Sequence, residues 1–494
     1  MVSQEHSVGT RTLRGMIWAY GSFAGGRTLT LVATAILARV LTPDEFGLVA
    51  IALSFMAVLE GIADLGLSHA LVTQRDDVVE ERAETVFVSS VGLGLLASLV
   101  IAAIGPLAAS FFDQPELNVI TPVLGLNFLI RSFGTTHFAL AQRSLDFRAR
   151  TFAEFSEVSF RGVLAISLAM AGLGAWSIVL GYLGGTLAFD VAIWILVRWR
   201  PKLQPRMSHL RDMIVFGGTI SAVTLVAALI ANVDYLFIGR SLGASDLGLY
   251  SLGFRLPDVL IISLSSVAAM VLFPAFAGMD RDALSRSFLI SFRYTLLVAV
   301  PIAVMLAILA RPIVLTLFGD KWIDSILPMR ILAIHALAMA IGIPAGIAYK
   351  ATGRAGILLI VGVASLILLL VALTLFVDRG IVAVAASQAA VASIASIAGL
   401  IIAARLFQVT PSQFFRAAGP ALAGSALLAL PVLAVERYVE APTLTMIAGG
   451  LVGSVVYGMF LHLAMPEVPS FLKQKLLAGP LPEIGDPALE GREI

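Results

Sequence analysis

The sequence predicts an all-α, polytopic membrane protein, and three observations carry that prediction. Of its 494 residues, 59% are hydrophobic and only 13% are charged, whereas soluble domains are about 45–50% apolar and about 25% charged. Apolar stretches of about 20 residues, the length of one membrane crossing, recur along the whole chain. Cysteine is absent, which excludes disulfides and thiolate metal sites. The low charge also excludes a soluble enzyme, a disordered chain and a nucleic-acid-binding protein.

The apolar stretches predict about fourteen transmembrane helices, or twelve or thirteen if a kinked pair has been divided. The first six are predicted at 15–40, 46–71, 85–111, 118–140, 153–173 and 175–197. The second six are predicted at 214–238, 257–276, 291–310, 328–348, 356–377 and 380–404, and two more at 415–435 and 443–465. The Pro-containing end of the chain, 466–494, is predicted to be a flexible cytoplasmic tail.

The orientation follows from the short loops, because cytoplasmic loops carry an excess of Lys and Arg. Of the 33 Lys and Arg residues, 22 lie on the side that holds both chain ends, 8 lie on the other side and 3 lie within spans. The sequence therefore predicts that both termini are cytoplasmic. In this count Arg255 belongs to an outer loop.

An internal repeat links the two sets of six spans. The sequence ARVLTPDEFGL at 38–48, after the first span, aligns with GRSLGASDLGL at 239–249, after the seventh. With an offset of 201, the identical pairs are Arg39 and Arg240, Leu41 and Leu242, Gly47 and Gly248, and Leu48 and Leu249. Since six spans preserve orientation, the repeat is parallel, as in several transporters. Two convergent glycine turns are the alternative interpretation.

The repeat predicts a domain organisation of two lobes followed by an accessory segment. The N-terminal six-helix lobe is predicted at 1–200 and the C-terminal six-helix lobe at 201–405. Two accessory transmembrane helices are predicted at 406–465, before the tail.

Charged side chains inside the predicted spans are the candidates for function, because each costs roughly 2.5–3.5 kcal/mol at mid-depth. The candidates for substrate binding are Arg27, Arg131, Arg161 and Asn127, and the candidates for ion coupling are Glu60, Asp64, Asp234 and Asn232. Glu157 and Arg161 are four residues apart and opposite in charge, which predicts an ion pair. Glu60 and Asp64 have the same spacing and like charge, so we expect a bound cation, a proton or an arginine partner.

Arg27 is the first choice for binding an anion. It lies about thirteen residues into a span of about 26, near mid-depth at a rise of ~1.5 Å per residue. Gly21, Gly25 and Gly26 precede it and leave room for a close approach. A guanidinium offers forked donors to phosphate that an ammonium cannot copy. A structural pair with Glu60 or Asp64 is the alternative.

The sequence lacks the motifs expected for ATP hydrolysis, metal binding and glycosyl transfer. The chain has no phosphate-cradling Walker loop, and its six histidines show no metal-ligand spacing. The outer loops are short, although a membrane glycosyltransferase would be expected to display carboxylates there. The sequence therefore predicts no catalytic residues, no metal and no cofactor beyond a coupling ion, H⁺ or Na⁺.

Four stretches, in this order along the chain, show a resemblance to a known family. They are ILARVLTPDEFGLVAIALSF at 36–55, ADLGLSHALVTQ at 63–74, NVDYLFIGRSLGASDLGLYSLGFRL at 232–256 and LFGDKW at 317–322. The chain resembles bacterial oligosaccharide flippases, the polysaccharide biosynthesis proteins of the multidrug/oligosaccharidyl-lipid/polysaccharide exporter superfamily. The resemblance implies two six-helix lobes around a central cavity.

The same resemblance implies a function, a location and partners. The function is movement of polyprenyl-diphosphate-linked oligosaccharide from the cytoplasmic to the outer leaflet, for exopolysaccharide or lipopolysaccharide assembly. The location is the bacterial inner membrane, and the partners are membrane lipids and polysaccharide polymerase or assembly proteins. Two alternatives stay open at this point: a cation-coupled multidrug exporter of the same superfamily, and a non-transporting membrane subunit of a polysaccharide synthase.

Overall fold

The architecture is helical wherever the structure describes it. The computed structural model describes residues 25–63, 67–73, 79–265, 281–354 and 356–465, and these ranges contain helices and turns but no strand. Among these residues, ten helices are long and apolar enough to cross a membrane. The predicted all-α, multi-pass class is therefore confirmed.

The first lobe contains α1 to α7. Residues 25–40 belong to α1, and the following helices are α2 (Pro43–Ala63), α3 (Leu67–Thr73), α4 (Val79–Phe112), α5 (Leu117–Arg143), α6 (Phe147–Met170) and α7 (Ala175–Leu196). Together α2 and α3 occupy the second predicted span. The strongest packing in this lobe pairs α4 with α5 and α6 with α7.

The second lobe begins with α8 (Met207–Ser241) and α9 (Ala244–Pro257), and a π-helical turn (Asp258–Ser263) extends α9. It continues with α10 (Arg281–Leu317), a 3₁₀ helix (Asp320–Ser325), α11 (Ile326–Ala351), α12 (Gly356–Phe376) and α13 (Ile381–Phe407). The accessory helices are α14 (Pro411–Tyr438) and α15 (Pro442–Ala464), which pack on α10 and on each other. Each predicted span overlaps a helix in its described residues, although the fifth extends three residues beyond the end of α6 at Met170. The domain limits stay a prediction.

Local chemistry explains where several of these helices begin. At α2, the Thr42 amide donates to the Glu45 carboxylate at 2.7 Å and the Glu45 amide donates to the Thr42 hydroxyl at 3.3 Å. This reciprocal capping satisfies two backbone donors that have no partner within the helix. Thr410 and Gln413 form the same arrangement at α14. Proline occupies the first turn in both helices, where its missing N–H costs nothing.

The predicted start of the eighth span is wrong by more than three helical turns. Span 8 was expected at 257–276, but α9 begins at Ala244. Gly243, with a φ of 93°, ends α8 sharply and lets the chain re-enter as a helix. This shift corrects the placement of Arg255, which lies inside α9 and not in an outer loop.

The two lobes meet where the repeated sequences lie, on the predicted outer side. A Cβ atom on Gly47 would stand 1.7 Å from the carbonyl oxygen of Ala244, and one on Gly248 would stand 1.8 Å from that of Pro43. Gly47 and Gly248, like Pro43 and Ala244, are related by the offset of 201. Such a reciprocal contact is what a two-fold axis between two like units produces. The structure therefore supports a true repeat over convergent turns.

Beside the two glycine contacts, hydrogen bonds join the first lobe to residues 315–322. We call the glycine contacts and these bonds together the outer lobe contact. The Arg39 guanidinium donates to the carbonyls of Leu315 (3.1 Å) and Leu317 (3.3 Å) at the end of α10. The Trp322 indole N–H donates to the Ala38 carbonyl at 2.8 Å, and Lys321 donates to the Arg39 carbonyl at 3.1 Å. Opening the protein on this side must break these bonds.

At the other end, the connection between the lobes is fixed to α4. The buried Glu84 carboxylate accepts the backbone N–H groups of Lys202 and Leu203 at 2.7–2.8 Å. Arg206 forms an ion pair of 2.5 Å with Glu81 one turn earlier. The basic connection between α7 and α8 is thus held against the first lobe up to the start of α8.

Candidate functional site

The candidate site begins with a row of three charges across α5 and α6. The Glu157 carboxylate accepts a hydrogen bond from Arg131 at 2.9 Å through one oxygen and from Arg161 at 2.5 Å through the other. The predicted Glu157–Arg161 pair is confirmed, and Arg131 joins it from the neighbouring helix. One carboxylate between two guanidiniums leaves this row with a net positive charge.

Aromatic rings of α7 support both arginines. The Arg131 guanidinium lies 3.9 Å from the ring centre of Phe189, and the Arg161 guanidinium lies 4.1 Å from that of Tyr182. These contacts hold the guanidinium planes in place by cation–π attraction. The Arg131 and Arg161 side chains still keep 38% and 35% of their surface open. Because a charged group in a span avoids lipid, this open surface faces a polar interior.

The second lobe adds a cation to the same interior. Arg255 of α9 interacts electrostatically with Arg27 of α1 and with Arg161, and Asp258 interacts with both Arg255 and Arg27. Arg131 and Arg161 share Glu157, and Arg161 and Arg27 both interact with Arg255, so this charged group contains guanidiniums from both lobes. The π-helical turn begins directly after Pro257, whose missing N–H interrupts the regular ladder of α9.

Arg255 is the site residue that the sequence reasoning missed. The internal repeat could have identified Arg255 as a residue inside a span. The offset of 201 aligns Pro43, the first residue of α2, with Ala244, so a helix starting at 244 would have placed Arg255 about three turns inside the membrane.

The other predicted residues lie in different surroundings. Glu60 of α2 interacts electrostatically with Arg131 and therefore belongs to the charged interior. Asp64 lies outside the described residues. Asn127 is buried in α5, one turn from Arg131, and its carbonyl oxygen has no hydrogen-bond partner among the described residues. The roles of these residues stay predictions.

Asp234 and Asn232 lie in α8 and belong to a separate group in the second lobe. The buried Asp234 carboxylate accepts a hydrogen bond from the Tyr250 hydroxyl at 2.6 Å and interacts with the Gln388 side chain. Asn232 donates to the Ala228 carbonyl of its own helix at 2.8 Å. The residues predicted for ion coupling thus lie in two separate places. Glu60 lies with the arginines, whereas Asp234 lies beside the neutral side chains of Tyr250 and Gln388.

The fold of this chain is the fold of solved membrane transport proteins. The chain shares its fold with the lipid II flippase MurJ in an inward closed conformation (TM-score 0.73, 15% identity, 92% of this chain and 99% of that one). It also shares its fold with the inward-facing form of a multidrug resistance MATE family transporter of the MOP superfamily (TM-score 0.63, 18% identity, 78% and 96% covered).

The chain belongs to the polysaccharide biosynthesis protein family, whose model matches residues 36–327. Its relatives include the teichuronic acid biosynthesis protein TuaB of Bacillus subtilis (26% identity, 71% of this chain and 73% of the relative) and the lipopolysaccharide biosynthesis protein WzxC of Escherichia coli (26%, 71% and 72%). The succinoglycan biosynthesis transport protein ExoT of Rhizobium meliloti is 28% identical over 63% of each chain. The family predicted from the sequence is confirmed.

Proposed function

We propose that the protein is a flippase that moves a polyprenyl-diphosphate-linked oligosaccharide from the cytoplasmic to the outer leaflet by alternating access. Relatives named for teichuronic acid, succinoglycan and lipopolysaccharide biosynthesis support a role in exopolysaccharide or lipopolysaccharide assembly. The protein acts as a transporter and not as an enzyme. Its partners are the lipid-linked substrate, membrane lipids and polysaccharide polymerase or assembly proteins.

The observation that carries this proposal is a group of interacting charges from both lobes: Arg131 and Arg161 share Glu157, and Arg161 and Arg27 interact electrostatically with Arg255. A diphosphate carries negative charge and several acceptor oxygens, which forked guanidinium donors fit. The sugar and the diphosphate would cross through the polar interior while the polyprenyl tail stays in lipid. Since the arginines come from both lobes, movement of one lobe against the other would change how many of them reach the substrate.

Two observations disfavour the alternative functions. A multidrug exporter for cationic drugs would need an interior dominated by carboxylates, and these arginines would repel its substrates. A non-transporting subunit would be expected to pair its buried charges completely. Arg131 and Arg161 instead keep more than a third of their surface open while bound to Glu157.

Transport by purified protein in liposomes tests the proposal. A glycosidase that cannot cross the bilayer would measure how much fluorescent diphosphate-linked oligosaccharide reaches the exposed leaflet. We expect Arg27→Lys and Arg255→Lys to slow transport about tenfold or more, since each loses charge-assisted hydrogen bonds of about 1.5–3 kcal/mol. The exposed Arg405 provides the matched control, and Arg405→Lys is expected to transport normally.

A further variant distinguishes a substrate role from a structural one. If Arg27 only balances the charge of Asp258, the double variant Arg27→Gln with Asp258→Asn should insert and transport normally. Full transport by that double variant would contradict the assignment of Arg27 to the diphosphate. An inactive but normally abundant double variant would support it.

We propose that the protein lies in the bacterial inner membrane with both termini cytoplasmic. The cysteine-free sequence lets single introduced cysteines report their side of the membrane without background. We expect an impermeant thiol reagent to label Ser144→Cys, in the α5–α6 turn, only from the cytoplasm, and Asp378→Cys, before α13, only from outside. Both positions are exposed. Labelling of Ser144→Cys from outside would overturn the orientation.

We also propose that the transport cycle is coupled to H⁺ or Na⁺ and needs no other cofactor. Glu60 is a candidate for coupling because its charge interacts with Arg131. A membrane potential supplies about 2.3 kcal/mol per charge per 100 mV, enough to bias a transport cycle.

A further inference from the structure

Asp190 of α7 is a buried carboxyl group in an unusual position. Only 5% of its surface is exposed, and neither carboxyl oxygen has a hydrogen-bond partner among the described residues. A Cβ atom on Gly134 of α5 would stand 2.1 Å from one of these oxygens. The carboxyl therefore lies directly on the helix backbone of α5, in a space that only glycine leaves open.

The surroundings favour the neutral form of this carboxyl. An ionised carboxylate needs several donors or a bonded cation, and burial without them is costly. The Asp190 carboxyl lies against the α5 backbone at Gly134, where the Phe189 ring also lies, and it interacts electrostatically with Arg131 and Glu157 without a hydrogen bond to either. A protonated carboxyl loses much less solvation energy in such a place.

A cation nevertheless lies within reach. Arg131 is three residues before Gly134, one turn along the same face of α5, and its guanidinium stacks on Phe189, the neighbour of Asp190. Its electrostatic partners include Asp190, although its hydrogen bond goes to Glu157 at 2.9 Å. Arg131 thus interacts with three carboxyl groups, Glu60, Glu157 and Asp190, and its hydrogen bond goes to Glu157.

We propose that Asp190 binds a proton and that its protonation decides whether Arg131 bonds Glu157 or Asp190. In the neutral form, the Asp190 carboxyl leaves Arg131 on Glu157, as in this structure. When the carboxyl O–H bond breaks and the proton passes to water, the new carboxylate competes for the same guanidinium. This deepens the proposed function, because Arg131 is one of the four arginines assigned to the diphosphate, and proton binding would then change the affinity for substrate.

The charged groups on the neighbouring helices are consistent with this competition. The charged or titratable side chains on the helices packed around this point include Glu60 on α2, Arg131 and His137 on α5, and Arg150, Glu154, Glu157 and Arg161 on α6. His137 is occupied by the Trp199 carbonyl at 3.1 Å and packs against Trp194. Arg131 is therefore the cation that Asp190 can recruit.

A proton fits this site better than Na⁺. A sodium ion needs several oxygen ligands. The groups around Asp190 are the α5 backbone at Gly134, the ring of Phe189 and the guanidinium of Arg131. The guanidinium would also repel the ion. In the part of the chain that the structure describes, no group of three or more His, Asp or Glu residues forms a possible metal site.

Infrared difference spectroscopy of the purified protein in lipid nanodiscs tests the proton site without any substrate. We expect a protonated-carboxyl stretch at neutral pH that disappears as the pH is raised. That band should be missing in both Asp190→Asn and Asp190→Leu. Two different variants are used because the misfolding of one of them would leave the other to test the assignment. It should persist in the matched control Asp378→Asn, which changes an exposed carboxylate. A spectrum that is unchanged by both Asp190 variants would overturn the proposal, as would loss of the band on adding Na⁺ at constant pH.

The competition for Arg131 has its own readout. In Glu157→Gln combined with Arg161→Gln, Arg131 has lost its present partner and is free to stabilise ionised Asp190. We expect the pH midpoint of the Asp190 band to fall by about one unit in that variant. An unchanged midpoint would contradict the competition.

Transport then separates this inference from the proposed function. Asp190→Asn should transport about tenfold more slowly and lose its response to an imposed pH gradient. A normal response in that variant would overturn the coupling role. If wild-type protein moves no diphosphate-linked oligosaccharide, the proposed function fails, while the infrared titration still decides whether Asp190 binds a proton.

Discussion

Replacing Gly47 with alanine is expected to separate the lobes at the outer lobe contact. The new methyl group would stand 1.7 Å from the carbonyl oxygen of Ala244, so backbone and not a flexible side chain must move. Overpacking of this kind costs about 1–3 kcal/mol or more. Gly248→Ala is expected to have a similar effect, because it makes the symmetry-related contact with Pro43.

Labelling of a buried cysteine measures this opening. Ala38 is completely buried beside the indole of Trp322, so Ala38→Cys reports whether the contact is closed. Since 1.4 kcal/mol corresponds to a factor of ten, we expect labelling from outside to become about tenfold faster when Gly47→Ala is added. Gly92→Ala is the matched control because a methyl group there meets no atom within 4 Å. Equal labelling rates in the two backgrounds would show that the glycine contact does not hold this side closed.

Neutralising Glu157 is expected to have the second large effect. Its carboxylate is the shared hydrogen-bond partner of Arg131 and Arg161, so Glu157→Gln leaves two cations without their counter-charge inside the membrane. Removing one member of a fully buried ion pair costs about 3–5 kcal/mol, and the cost here should be smaller because both arginine side chains keep more than a third of their surface open. We expect a corresponding fall in the midpoint of thermal unfolding in detergent.

Two further variants test this explanation. Glu157→Gln with Arg161→Gln should recover much of the lost stability, because it removes one of the unpaired cations. Glu80→Gln is the control, since the Glu80 side chain is 80% exposed and its pair with Lys202 lies at the surface, where such pairs contribute about 0–1 kcal/mol. A Glu157→Gln variant as stable as the Glu80→Gln control would mean that the two arginines find other counter-charges.

The roles of the predicted site residues stay predictions, and the structure adds Arg255 to the charged group that contains Arg27, Arg131 and Arg161. A charge inside an apolar stretch is visible in the sequence because of its cost, and Arg27, Arg131 and Arg161 were found in this way. Arg255 was missed because the loop before it was placed too late in the chain. The turn at Gly243 is short enough for α9 to begin three residues after α8 ends, and composition alone does not resolve so short a break.

The spacing of residues along one helix predicted pairs within it, but not across helices. Glu157 and Arg161 are four residues apart and their ion pair followed from helical geometry. The bond from Arg131 to the same carboxylate joins residues 26 positions apart and depends on how α5 and α6 pack. In the same way, a list of buried charges does not distinguish Asp190, which lies on the bare backbone at Gly134, from Asp234, which bonds a tyrosine.

The sequence by itself determined that this protein is a helical membrane protein and indicated a two-fold repeat, because apolar stretches of about 20 residues match the length of membrane-spanning helices and the repeated turn survives as an alignment of residues. Only the tertiary structure decided what the repeat does. Gly47 lies on Ala244 and Gly248 lies on Pro43, so the two copies of the turn face each other and close one side of the protein. It also decided which charges share a counter-charge, since those contacts are set by the distance between helix axes and by which helix face points inward. The residue order along a single helix determines neither the distance between helix axes nor the face that points inward.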